Sequence, residues 1–252
     1  MNSGAGKAEA RVKQPYRKRR LAAIAARWDQ RAAEWDRALA DPTCHLNEDD
    51  AYARFLREAR RCVSLRGRYC RKRGIIDAGC GTGLVLAELL PSFDWGIGVD
   101  ISLEMVRAAT AKGIPGARFL PGDCFRLAEL CPKAGAVFSR GVLLSHYGHD
   151  QGRVLLESAA DALLPGGFLL FDFLNELGRR HYHHSPEDKI YYTPQQACAL
   201  ARGLGFQTVT TRGGAERRVL MLLAEKGRTA ALGAPQASSS PAAGRSYGAE
   251  GH

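Results

Sequence analysis

The residues best suited to chemistry lie in one short stretch, Asp77-Ala78-Gly79-Cys80-Gly81-Thr82-Gly83, directly after the apolar pair Ile75-Ile76. An apolar run that turns through glycine at every second position lets the backbone approach a ligand closely and adopt conformations that a Cβ forbids. Two acids are spaced to join it. Asp100 closes the run Gly96-Ile97-Gly98-Val99, 17 residues past Gly83, where a carboxylate can accept both hydroxyls of a ribose. Asp123 follows Pro121-Gly122 and can take the exocyclic amine of an adenine.

The spacing excludes the commoner nucleotide sites. A dinucleotide fingerprint G-x-G-x-x-G set on Gly79 and Gly81 needs glycine at 84, where Leu84 stands, and the phosphate loop G-x-x-x-x-G-K-[ST] is absent. An acid at the mouth of the turn, Asp77, repels a phosphate and attracts an ammonium. The expected ligand is therefore an adenosine that carries an amine and no phosphate.

Such residues converge only if the elements bearing them end at one edge. Short apolar runs at Ile75–Ala78, Trp95–Val99, Ala117–Leu120, Ala136–Phe138, Phe168–Phe173, Phe206–Thr211 and Val219–Leu223 read as strands. Between them, Gly83–Leu90, Ser102–Ala111, Cys124–Leu130, Gln151–Leu164 and Pro194–Leu204 read as helices. Strand and helix alternate five times, which calls for a parallel sheet with helices on both faces and ligands at its carboxyl edge. The last two strands are joined only by a short connection around Gly213-Gly214, too short for a parallel crossover, so that pair is expected to be antiparallel. Thr193, Pro194 and Gln196 form a capping box that starts the final helix.

Four segments follow from composition. Residues 1–20 end in Arg17-Lys18-Arg19-Arg20 and read as a disordered basic arm. Residues 21–73 read as an N-terminal helical cap: one helix over Leu21–Ala40 with Trp28 and Trp35 on one face, a break at Asp41-Pro42, then a helix from Asn47 to about Tyr69. Residues 74–226 form the ligand-binding core. Residues 227–252, rich in Ala, Gly, Ser and Pro, read as a disordered tail.

At 45% hydrophobic and 25% charged residues the 252-residue chain is globular. It has no apolar run of about 18 residues to span a membrane, and no apolar stretch near its start that reads as a secretory signal. The seven cysteines are odd in number and never C-x-x-C spaced, which argues against a disulfide framework or a zinc cluster and for a reducing, cytoplasmic setting. The net charge of +10 is confined: residues 1–20 and 54–73 are strongly basic, 21–53 are acidic, and 74–252 carry as many acids as bases.

The core resembles the class I S-adenosylmethionine-dependent methyltransferases over residues 74–225. The resemblance rests on Asp77-Ala-Gly-Cys-Gly-Thr-Gly83, Val99-Asp100-Ile101-Ser102, Gly122-Asp123 and Leu164-Pro165-Gly166-Gly167. It implies a Rossmann-like seven-stranded, mostly parallel sheet of order 3-2-1-4-5-7-6 with the last strand antiparallel, and S-adenosyl-L-methionine as cofactor. Gly79, Gly81 and Gly83 would then face the methionine part, with Asp77, Cys80 and Ser139 in the same binding set. Asp100 would take the ribose hydroxyls, Ile101 and Met105 would flank the adenine, and Asp123 with the Cys124 backbone would hold its edge. The pattern Arg27-Trp28-Asp29 to Glu34-Trp35-Asp36 also resembles the helix that caps the cofactor in small-molecule members.

The acceptor belongs beyond the fourth and fifth strand ends. His146, which titrates near neutrality, is the candidate base; Tyr147, Arg140 and Asn175 are candidate acceptor contacts, with Arg140 suited to a carboxylate or phosphate. His181-Tyr182-His183-His184 lacks a carboxylate or cysteine at ligand spacing, so no metal is expected and the stretch reads as a loop or lid. The leading function is methyl transfer to a small-molecule O, N or C nucleophile. The alternatives are a nucleic-acid methyltransferase using the basic N-terminal region, or a non-catalytic cofactor-binding scaffold. Against nucleic acid, the fourth strand ends in Phe138-Ser-Arg-Gly141 without a Pro-Pro-aromatic turn or a Pro-Cys nucleophile.

Overall fold

Apolar and β-branched runs form seven strands: β1 (Gly74–Ala78), β2 (Trp95–Asp100), β3 (Ala117–Pro121), β4 (Ala134–Ser139), β5 (Leu163–Leu174), β6 (Phe206–Arg212) and β7 (Val219–Lys226). They belong to a computed structural model that describes residues 21–41, 50–181 and 189–228. The basic arm expected over 1–20, Pro42 of the expected break, residues 182–184 of the histidine-rich run, and the tail beyond 228 lie outside the described residues.

The strands make one sheet of order β3-β2-β1-β4-β5-β7-β6, as the resemblance implies. β1 lies parallel between β2 and β4, and β5 is parallel to β4. β7 runs antiparallel to both β5 and β6, as the short connection requires. Every residue of β1 and β4 is buried, which is why these two strands read as apolar runs broken only by Asp77 and Ser139 near their carboxyl ends.

Helices cover both faces: α1 (residues 21–29), α2 (Trp35–Ala40), α3 (Ala51–Leu65), α4 (Gly67–Cys70), α5 (Leu84–Leu89), α6 (Leu103–Ala111), α7 (Leu127–Leu130), α8 (His149–Asp161) and α9 (Pro194–Arg202). Successive residues of a strand point to opposite faces. Ile75 therefore joins the core layer that holds Phe55, Val63 and Leu86, while Ile76 joins the layer on the other face with Leu155, Ala159 and Ala197. Phe138 stands edge-on to Phe55 at 6.4 Å and to Phe168 at 5.7 Å, which fixes α3 on the sheet. Among the described residues no helix is long and apolar enough to cross a membrane.

Three elements depart from expectation. The helix expected over Leu21–Ala40 turns at Gln30-Arg31, passes through a 3-10 turn (Ala32–Glu34) and restarts as α2. The break brings two indoles together that a straight helix would hold a full turn or more apart. The helix expected to reach Leu164 stops at Asp161, because Leu163 already pairs with Ala134 as β5. Cys124–Leu130 opens as a 3-10 turn over Cys124–Arg126 before α7. The capping box at α9 is complete: Thr193 N donates to Gln196 Oε1 at 2.9 Å, and Gln196 N to Thr193 Oγ1 at 3.2 Å.

Candidate functional site

Three glycines at positive φ carry the chain from β1 into α5: Gly79 at 74°, Gly81 at 51° and Gly83 at 82°. The turn is sewn to β2, with Gly79 N and Cys80 N both donating to Val99 O at 2.8 and 3.1 Å. The glycines differ in what a side chain would meet. At Gly81 a Cβ would make only an ordinary contact, 3.6 Å from Trp35 Nε1, so its positive φ is what calls for glycine. At Gly83 it would stand 2.7 Å from Phe119 Cζ, so this glycine serves the packing of the turn on β3.

Asp100 locks the turn. Its Oδ2 accepts from Gly81 N and its Oδ1 from Ser102 N, each at 2.9 Å. Burial pushes its carboxyl pKa up, and the N–H bonds work against that rise. Asp123 caps the turn after β3, accepting from Phe125 N at 3.0 Å.

Asp77 is different. It is buried, and neither carboxylate oxygen has a hydrogen-bond partner. Burial first, then the carboxylates of Asp100 and Asp172, pushes its pKa up to about 8. A buried, unpaired carboxylate is expensive unless a cation or N–H group arrives beside it.

These groups line one cavity. Asp77, Gly79, Cys80, Gly81, Asp100, Ile101, Met105, Asp123 and Cys124 all face it, as do Arg140, His146 and Tyr147. Gly83 and Ser139 are not among its walls. Ser139 is buried and donates its hydroxyl to Ala78 O at 2.8 Å, tying β4 to β1. Asn175 is also placed elsewhere: its amide donates to Ala215 O and Arg217 O, both at 2.8 Å, and its Oδ1 accepts from Leu177 N. The Cys80 and Cys124 thiols are raised well above the usual range by burial, so they pack as small apolar groups.

The N-terminal helices roof the cavity. Trp28 and Trp35 meet edge to face at 5.2 Å, and both line it. An acid follows each indole and pins it down. Asp29 accepts from Ser102 Oγ at 2.6 Å and from Glu104 N at 3.1 Å; Asp36 accepts from Thr82 Oγ1 and pairs with Lys112. The capping pattern read from sequence includes both acids but gives them no role; the fold supplies it, as the bonds that hold each Trp-Asp pair down.

The opposite wall comes from β4 and β5. Asp172 accepts from Gly141 N at 3.1 Å and Val142 N at 2.6 Å, holding Val142 at a φ of 54° that a β-branched residue rarely adopts. Arg140 stacks over the Tyr52 ring at 4.6 Å. His146 Nδ1 lies 2.9 Å from Lys189 Nζ. Tyr52 and Lys189 carry no site signal in the sequence, since only the folded chain brings them to this place.

At least four of the nine basic residues of 54–73 have partners within the chain. Arg60 pairs with Glu88, Arg61 with Glu58, and Arg66 with Glu225 while lying over Phe168 at 4.7 Å. Arg54 donates to Val219 O at 3.1 Å.

The sheet order, the glycine turn and the acids at the next two strand ends define a fold class: the Rossmann-like methyltransferase fold, shared with solved S-adenosylmethionine-dependent methyltransferases. The family model described as a methyltransferase domain matches residues 75–167. A ubiquinone biosynthesis O-methyltransferase from Idiomarina loihiensis is 26% identical over 102 residues, a match spanning 40% of this chain and 42% of that relative. Among solved structures, the magnesium protoporphyrin IX methyltransferase of Synechocystis PCC 6803 with bound SAM superposes with a TM-score of 0.63 at 17% identity, over 82% of this chain and 97% of that one. An S-adenosylmethionine-dependent methyltransferase from Clostridium acetobutylicum gives 0.63 at 13% identity, over 77% and 99%. At such identities the likeness is one of fold.

Proposed function

We propose that this chain transfers a methyl group from S-adenosyl-L-methionine to a small-molecule acceptor. The observation that carries this reading is the unpartnered Asp77 carboxylate, buried in a cavity that the glycine turn opens and two tryptophans roof. Those free oxygens can accept from the ammonium of the cofactor's methionine part and would be hostile to a phosphate.

Asp100 offers its remaining lone pairs to the ribose hydroxyls, and Asp123 with the Cys124 backbone holds the adenine edge. Ile101 and Met105 flank the base. Trp28 and Trp35 exclude water from above. When bound, the cofactor supplies a methyl group already activated on a sulfonium. The protein's task is then to align the acceptor in line with it, and Arg140, His146 and Tyr147 are the groups that meet the acceptor. Residues 21–73 act as the cap and 74–226 as the catalytic core.

A small acceptor suits the tryptophan-roofed cavity better than a nucleic acid does, and Arg54, Arg60 and Arg66 of the basic stretch are engaged by the chain's own acids and carbonyls. The six described cysteines are free thiols, in keeping with a reducing, cytoplasmic setting.

The reading is tested by incubating the protein with methyl-labelled S-adenosylmethionine and a cell extract split into metabolite, RNA and protein fractions. Label is expected in the metabolite fraction. Label only in RNA or protein would overturn the small-molecule assignment.

A further inference from the structure

The wall bearing His146 is fastened by a segment that does not itself line the cavity. Ser145, His146 and Tyr147 each receive one hydrogen bond from it. Ile190 N donates to Ser145 O at 2.8 Å, Lys189 Nζ lies 2.9 Å from His146 Nδ1, and Tyr192 OH donates to Tyr147 O at 2.9 Å. The segment is anchored in turn. Tyr192 is fully buried, its N donates to Leu174 O at 2.9 Å, and its ring packs on Phe173 and His149. Lys189 is therefore delivered to His146 from a fixed base, three residues from a buried aromatic.

The chemistry of that contact has one inexpensive solution near neutral pH. An ammonium has three donors and no acceptor, so it can bond Nδ1 only as donor to a lone pair. The imidazole must then be neutral, since a doubly protonated ring offers no lone pair. The converse arrangement, a neutral lysine accepting from Nδ1–H, would remove a proton from the more basic group of the two. With Nδ1 occupied as acceptor, the ring's single proton sits on Nε2.

We propose that Lys189 is a positioning residue that holds His146 neutral with its proton on Nε2, so that His146 offers the bound acceptor a hydrogen-bond donor rather than a base. The word acceptor rests on the methyltransferase reading; the tautomer does not. The consequence for transfer is specific. The acceptor atom forms its bond to the methyl carbon as the carbon–sulfur bond breaks and its electron pair passes to sulfur. With His146 as donor, an acceptor oxygen that arrives ionised needs no proton removed, and charge cancels between anion and sulfonium. Such an oxygen is what an N–H can orient.

The test is nitrogen-15 spectroscopy of the full chain labelled in histidine, at a mildly alkaline pH, with His146→Gln identifying the signals. In the wild type, Nε2 is expected to carry the proton and Nδ1 to resonate as a hydrogen-bonded acceptor. Lys189→Met should shift Nδ1 to the position of a free acceptor, and Lys189→Arg should return it toward the wild-type position. A proton on Nδ1 in the wild type, or an Nδ1 signal unmoved by Lys189→Met, would overturn the proposal. The wild-type spectrum decides the tautomer by itself if the methionine variant fails to fold. S-adenosylhomocysteine titrated into the wild-type sample separates the two readings: absent binding removes the methyltransferase assignment and leaves the tautomer result standing.

Discussion

Where β1, β2 and β3 end, the cavity's polar groups lie on or beside the strand ends themselves: Asp77 within β1, Asp100 at the close of β2, Asp123 just after β3. Where β4 and β5 end, the groups are brought together from distant parts of the chain. Tyr52 of α3 stacks under Arg140, Asp172 of β5 braces Gly141 and Val142, and Lys189 reaches back to His146. The first wall is a property of local strand-to-turn geometry. The second is a property of tertiary packing, its parts not tied to one short motif.

The comparison is most sharply broken at the local wall. Gly83→Val puts a β-branched residue at a φ of 82° and a Cβ 2.7 Å from Phe119. Strain and overpacking together should cost about 3 kcal/mol or more, read as a large loss in denaturant midpoint and of cofactor binding. Near wild-type stability would show that the turn is not as constrained as its geometry indicates.

Asp77 gives a pH signature. Its folded pKa of about 8 lies far above the ordinary carboxyl value of 3.8, so the folded chain keeps a proton that the unfolded chain has lost. Its contribution to stability is therefore present below about pH 4 and lost as pH rises toward 8, with a slope of up to about 1.4 kcal/mol per pH unit. Asp77→Asn cannot ionise and should flatten the fall in unfolding free energy between pH 5 and 8. Asp100 and Asp172, also raised by burial, leave some slope behind. Identical slopes in the two proteins would contradict the unpaired state of Asp77.

Trp35→Ala removes half of the roof while leaving the sheet untouched. S-adenosylhomocysteine affinity should fall about tenfold, roughly 1.4 kcal/mol, with little change in melting temperature. Unchanged affinity would detach the N-terminal helices from the cofactor site.

The same division sets what was legible from sequence. The glycine turn, both strand-end acids and the antiparallel last strand follow from residue types a few positions apart, and each is where it was expected. The break in the first helix was not visible, because Leu21–Ala40 is rich in helix formers and carries no proline or glycine to announce it. What decides it is tertiary: Asp29 and Asp36 bonded to α6 and the glycine turn. Ser139 and Asn175 looked like site residues by position after a strand, yet their polar atoms are consumed by neighbouring backbone. Lys189 carried no signal at all, since nothing near it in sequence pairs it with a histidine.

The most direct trial of the central claim is calorimetric titration of S-adenosylhomocysteine into the wild type and Asp100→Ala. The variant leaves Gly81 N and Ser102 N without their carboxylate and deprives the sugar of its partner; each hydrogen bond to a charged group is worth about 1.5–3 kcal/mol. One-to-one binding by the wild type and affinity at least about 100-fold weaker in the variant is the predicted result. Equal affinities, or no binding by the wild type, would contradict it.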